Sequence, residues 1–282
     1  MNYVLCSGGL GNQMFQYAFY RLLCDNNIPA SFDTSFYKHN SIHNGYELEK
    51  CFGIKDGNDS VDHFSFLYKC LYHYMLKRKI HKLLGIKVEL ANKKIFLEDV
   101  KKNDVLYGFW QGSIYFDGQI EKIKEVFRFE NLSDETVALA KKIKQERAIA
   151  IHVRRGDYCN SKTYIDLSKT GYYTAAINYI DDNIECGRPL YVFSDDSDWC
   201  EKSGLFPQNA IYLSSNNGSK AYEDMYLMSE ADILIAANSS FSWWAGCLGT
   251  HSYVIRPSKY TFNWSKEDDD RLYPRSWIKI EG

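Results

Sequence analysis

Short apolar runs return along the whole chain with amphipathic stretches between them, and this alternation narrows the fold more than any other feature. Residues 3–7, 30–33, 105–109, 148–153, 190–194, 210–213, 232–236 and 253–255 read as strands. Residues 12–24 place Met14, Phe15, Ala18, Leu22 and Leu23 on one helical face, and residues 134–146 form a charged helix. Strands that alternate with helices imply parallel sheets covered on both faces, an α/β fold. Two such units can be drawn. They meet near the charge-rich KKIKQER of residues 141–147, which gives expected domains of 1–144 and 145–282.

Composition mainly removes alternatives. A formal net charge of −2 with 25% charged residues carries no footprint of a nucleic-acid partner. The eight cysteines are scattered without zinc-ligand spacing, which favours reduced thiols and a cytoplasmic protein. The chain opens on Tyr3-Val4-Leu5-Cys6 without the basic start of a signal peptide, and the uncharged run 233–255 is too polar to span a bilayer. The segment 69–87 is set apart by Lys69, Lys77, Arg78, Lys79, Lys82 and Lys87 with no acid among them. It reads either as a solvated helix or as a basic amphipathic helix lying peripherally on the inner face of the cytoplasmic membrane.

Four clusters carry chemistry. Gly8-Gly9-Leu10-Gly11-Asn12-Gln13 joins the first strand to its helix, where glycines admit a ligand to the backbone and a helix N-terminus offers N–H groups to an anion. Residues 151–158, Ile-His-Val-Arg-Arg-Gly-Asp-Tyr, follow a buried strand; His152 and Arg154 share a strand face, and arginine presents a fork of donors to phosphate. Either arginine could instead be salt-bridged to Asp157. In Phe193-Ser194-Asp195-Asp196-Ser197-Asp198, Asp195 is suited to the donors on a guanine ring edge and the remainder to capping a helix. The same stretch is also a literal D-x-D for a divalent metal. The fourth cluster, Asn238-Ser239-Ser240-Phe241-Ser242-Trp243-Trp244-Ala245-Gly246, sets small hydroxyls at a strand-to-helix turn, as phosphate donors or as caps.

Together these clusters resemble the bacterial α-1,2-fucosyltransferases of glycosyltransferase family 11. The loop GGLGNQMFQYAFY, then HVRRGDY, SDDSDW and NSSFSWWAG occur in the family's order. Gly108-Phe109-Trp110-Gln111, Tyr115-Phe116, and Tyr273-Pro274 with Trp277 follow it too. The resemblance implies a GT-B arrangement, two Rossmann-like domains facing across a cleft, with the acceptor mostly on the N-terminal side and GDP-fucose on the C-terminal side. It places His152 and Asp195 on guanine, Arg154 on the β-phosphate, and Asn238, Ser239, Ser240, Phe241 and Ser242 around the diphosphate. Gly9, Gly11 and Asn12 would reach the same phosphate from the glycine loop. The implied reaction is inverting transfer of fucose to the 2-hydroxyl of a galactose-containing oligosaccharide or polysaccharide repeat, with no cofactor and no metal. Fixed donors aimed at the leaving diphosphate take the place of an ion. Asp157, the carboxylate nearest the arginines, is the first candidate for general base, with Asp166, Glu223 and Asp224 behind it.

Two other readings remain. A metal-dependent nucleotide-sugar transferase would use Asp196 and Asp198. An NAD-binding oxidoreductase would use Gly9 and Gly11 with Asp33 on the ribose, but the third glycine of that fingerprint is Met14 here.

Overall fold

A computed structural model describes residues 1–38, 44–55, 86–89, 94–116, 118–213 and 218–282. The chain divides into two compact units, Met1–Glu130 and Asn131–Gly282.

In the first unit, β1 (Asn2–Leu5) runs into helix α1 (Leu10–Asp25) and returns as β2 (Ala30–Asp33). Helix α2 (Leu48–Phe52), strands β3 (Ile86–Val88) and β4 (Val105–Tyr107) and helix α3 (Ile120–Lys124) complete it. The strands are all parallel, in the order β2-β1-β4-β3. Helix α1 buries Met14, Phe15, Ala18, Phe19, Leu22 and Leu23, the apolar positions its periodicity marked and Phe19 with them.

The second unit begins with α4 (Asp134–Gln145), which carries acids in its first turn and lysines in its last, complementing the helix dipole. It continues through β5 (Ile149–Val153), α5 (Tyr172–Asn183), β6 (Leu190–Ser194), α6 (Ser197–Lys202) and β7 (Ile211–Leu213). The second half holds α7 (Ala221–Ser229), β8 (Ile233–Ile235), α8 (Ser240–Leu248), β9 (Tyr253–Pro257), α9 (Lys266–Leu272) and β10 (Ile278–Ile280). Its six parallel strands lie in the order β10-β9-β8-β5-β6-β7, which is the doubly wound Rossmann order. Alternate strand residues Ile149, Ile151, Val153, Val192, Ile233 and Ile235 form one core with Tyr172, Tyr173, Ala176 and Ile180 of α5.

The expected α/β class is what the chain has, as two units with parallel sheets. The division falls at 130/131 and not at the expected 144/145. Helix α4 belongs to the second unit because Glu223 of α7 accepts from its cap Ser133 (Oγ, 2.6 Å) and from Thr136. Two edge strands, β3 and β10, were not expected. Each has three residues with a lysine at the centre (Lys87, Lys279), too short to show a period and typical of guarded sheet edges. Lys87 is therefore strand, its Nζ 2.6 Å from Asp104, while residues 69–85 of the basic segment lie outside the described residues. No helix among the described residues is long and apolar enough to cross a membrane.

Candidate active site

The strand order of the second unit reverses between β5 and β8, and a crevice opens beyond the carboxyl ends of strands at such a point. Three of the four sequence clusters meet there: loop 154–158 after β5, Asp195 after β6, and the first turn of α8 after β8.

His152 is 7% exposed on β5, its ring centroid 5.6 Å from that of Phe241. Among the described residues its Nδ1 is buried without a hydrogen-bond partner. Burial, with the Arg154 charge added, holds the imidazole neutral and lowers its pKa to about 3. A buried polar atom left unpaired in a crevice is a ready contact for a ligand.

Arg154 lies between two carboxylates, with Nη1 2.9 Å from Asp195 Oδ2 and Nη2 donating to Asp157 Oδ1 at 2.7 Å. Its guanidinium stands 5.7 Å from the Tyr158 ring centre, and its side chain is 33% exposed. Arg155 turns elsewhere. Its Nε donates to Asp196 Oδ2 at 3.1 Å, its Nη1 to Ser168 Oγ at 2.8 Å, and its guanidinium lies 3.4 Å from a Trp199 ring centre. The salt bridge to Asp157 that the sequence left open to either arginine falls to Arg154, while Arg155 is a tie between loops. Gly156 permits the close approach, since a Cβ there would stand 2.6 Å from Asp195 Oδ2.

Asp195 has both oxygens engaged, Oδ1 accepting the Arg155 backbone N–H at 2.9 Å and Oδ2 meeting Arg154. Asp196 caps α6, accepting from the Trp199 N–H at 3.4 Å, as expected. With its other oxygen on Arg155, Asp196 is poorly placed for the D-x-D reading. Among the described residues no three His, Cys, Asp or Glu side chains cluster as metal ligands.

The serine turn divides in two. Asn238 is buried, its amide donating to Ile165 O and Tyr260 O at 2.9 Å each. Ser242 is buried and its Oγ accepts the Ala237 N–H at 3.1 Å. The resemblance places both around the diphosphate; in the structure their side chains are committed to building the turn. Ser239 caps α8 by accepting the Phe241 N–H at 3.3 Å, and Ser240 and Phe241 sit half-buried at the helix start. That N-terminus is an anion site in form.

The glycine loop belongs to the first unit. Gly9 is the N-cap of α1, Gly11 is buried in its first turn, and Asn12 Oδ1 accepts from Gln111 Nε2 at 2.6 Å. Gly8 has φ +85°, and a Cβ there would meet Asn12 Nδ2 at 2.9 Å. Two glutamines pin the loop. Gln13 donates to Gly8 O and Gly45 O, and Gln16 accepts the Ser7 N–H while donating to Gly108 O at 2.8 Å. Their spacing of three on an otherwise apolar helix face was the signal that could have marked them.

Of the carboxylates considered as general base, Asp157 is 61% exposed and paired with Arg154. Asp166 accepts from Ser168 N–H and Oγ and pairs with Lys169, and Glu223 is the buried anchor of α4. Local bonds thus occupy both, and Asp224 lies one residue further along α7. Tyr158 was passed over as a single residue: it donates to Asn238 O at 3.0 Å and joins the arginine loop to the serine turn.

Residues 1–281 match the family described as Glycosyl transferase family 11. The chain is similar to an alpha-1,2-colitosyltransferase of Escherichia coli, 30% identical over 98% of this chain and 97% of the relative. It is also similar to the O-antigen biosynthesis glycosyltransferase WbnK of Escherichia coli, 28% identical over 99% of this chain and all of that one (100%). Among solved structures, the fucosyltransferase NodZ from Bradyrhizobium shares the fold with a TM-score of 0.51 at 14% identity, covering 88% of this chain and 92% of that one.

Proposed function

The chain belongs to glycosyl transferase family 11 and is a glycosyltransferase, and we propose that it moves fucose from GDP-β-L-fucose to the 2-hydroxyl of a galactose-terminated glycan. Transfer proceeds with inversion and without a metal ion. The observation that carries this reading is the grouping of Arg154, the α8 N-terminus and the unpartnered Nδ1 of His152 beyond the ends of β5 and β8. A cation and a helix N-terminus answer a diphosphate, and a buried neutral imidazole answers a nucleobase or ribose.

In the reaction the acceptor oxygen attacks the anomeric carbon, the bond from that carbon to the β-phosphate oxygen breaks, and GDP leaves with the bonding pair. Arg154 and the positive end of the α8 dipole stabilise charge that grows on the diphosphate as the bond lengthens. Asp157 takes the acceptor's proton. Asp195 offers its carboxylate to the guanine edge once Arg154 has moved to phosphate. In this reading the C-terminal unit is the donor unit and the N-terminal unit takes most of the acceptor. The enzyme works in the cytoplasm, with the basic residues Lys69, Lys77, Arg78, Lys79 and Lys82 as a peripheral contact to the membrane.

A second reading exchanges the donor for a GDP-activated colitose, and the colitosyltransferase similarity over 98% of the chain favours it. A screen of GDP-fucose and GDP-colitose against a panel of galactosides, with product linkage assigned by NMR, separates the two. Transfer from neither donor, or a linkage other than to the 2-hydroxyl, would sink the proposal.

A further inference from the structure

Among the described residues Phe262 is the most exposed large apolar side chain, at 61%. It follows β9, so it stands at the same carboxyl edge of the sheet as loop 154–158. The turn that carries it is held on both sides. Phe262 N–H donates to Thr163 O at 2.9 Å, and Tyr164 and Thr261 form an antiparallel bridge. Thr261 Oγ1 accepts the N–H groups of Asn263 and Trp264 at 3.3 and 3.1 Å, and Tyr260 stacks on Trp264 with centroids 5.1 Å apart. Tyr164 lies flat on Tyr158 at 4.5 Å, and Tyr158 is the ring beside Arg154. A continuous path of packed rings and backbone pairing therefore links the exposed Phe262 to the arginine.

An apolar ring kept in water on a rigid turn gains nothing for folding, and its surroundings suit one kind of partner. Lys162, Thr163 and Asn263 around it are exposed and polar. An aromatic face rimmed by hydrogen-bonding groups is the chemistry that receives a sugar, whose C–H face stacks on the ring while its hydroxyls meet the rim. We propose that Phe262 is a specificity-determining residue that stacks on a neutral saccharide ring of the acceptor, giving the donor unit its own share of acceptor binding. The inference rests on the glycosyltransferase reading of the Arg154 crevice. It extends that reading to a residue outside every motif of the sequence.

The test uses the full chain with GDP present and a panel of neutral β-galactosides, lactose and longer chains among them. Binding is read by saturation-transfer difference NMR. The best binder is then carried into kinetics with the parent, Phe262→Ala, Phe262→Trp and, as a surface control, Tyr253→Ala, which removes another exposed ring. Phe262→Ala is expected to weaken saccharide binding by about tenfold, the effect of one lost ring contact, and to raise the acceptor KM more than it lowers kcat. Phe262→Trp restores affinity, and Tyr253→Ala behaves as the parent. Equal affinity of parent and Phe262→Ala, or no saccharide bound by the parent, overturns the inference. GDP release from GDP-sugars is followed separately. A chain that binds galactosides through Phe262 but consumes neither GDP-sugar would refute the donor reading and leave this one intact.

Discussion

Asp195 holds Arg154 and the backbone of Arg155 with one carboxylate, Oδ2 2.9 Å from Arg154 Nη1 and Oδ1 accepting the Arg155 N–H at 2.9 Å. The carboxylate thereby ties the Arg154 side chain and the Arg155 backbone to the end of β6. A first prediction follows for the pair Arg154 and Arg155. Arg154→Lys keeps the charge but not the fork, and is expected to reduce kcat/KM about 10²-fold; Arg154→Ala reduces it about 10³-fold, roughly 3 and 4 kcal/mol. Arg155→Lys, with an 11% exposed tie to Asp196 and Trp199, lowers Tm by several degrees, of order 2 kcal/mol, and leaves more activity than Arg154→Lys. Near-normal kcat for Arg154→Lys would remove Arg154 from the phosphate.

Asp195→Asn removes a charged partner from Arg154 and from any guanine ring. Weaker GDP binding by roughly 2–3 kcal/mol is expected, measured by calorimetry. The same variant should bind inorganic pyrophosphate, which has no base, with less loss. If both ligands weakened equally, Asp195 would act through Arg154 alone.

His152 gives a pH signature. An unfolded imidazole takes its proton near pH 6.5, but burial and Arg154 lower the folded value to about 3. Between those values the unfolded chain binds more protons. The stabilising contribution is complete above about 6.5 and is lost as pH falls, by up to about 1.4 kcal/mol per pH unit. Asp269 acts in the opposite sense: burial raises its carboxyl to about 6, so its contribution declines as pH rises toward that value. The His152→Gln variant minus the parent, compared by denaturation from pH 7 to 4, isolates the histidine. A difference that does not change with pH would mean His152 titrates normally in the fold.

Gln16 bonds the Ser7 N–H and Gly108 O inside the first unit. Gln16→Leu fills similar space and leaves both groups buried and unpaired, at about 2–4 kcal/mol. Faster amide exchange at Ser7 and a lower denaturation midpoint are the expected readings, and unchanged exchange would show that the loop does not depend on this amide.

Chelation addresses the leaving group. With Arg154 and the α8 N-terminus supplying positive charge, saturating EDTA should leave turnover nearly unchanged. Activity lost in EDTA and restored by Mn²⁺ would return Asp196 and Asp198 to the D-x-D reading.

Much of this was legible in the sequence because it is local. The periods of residues 12–24 and 148–153 show which faces are buried, and small residues before Asn12 and Ser239 mark turns at helix starts. Strand alternation alone places His152, Arg154, Asp195 and Ser239 at one edge of a parallel sheet. Three-residue edge strands such as β3 and β10 lie below the length at which a period can be read. Only the tertiary structure decided which arginine pairs with which carboxylates. Arg154 and Arg155 have the same chemistry, and the carboxylates that separate them, Asp195 and Asp196, arrive from 40 and 41 residues away. The same holds for Asn238 and Ser242, whose polar side chains look free in the sequence and are drawn into the turn by backbone groups of Ile165, Tyr260 and Ala237. A donor takes whichever acceptor the packed chain presents, and packing is a property of segments far apart in sequence.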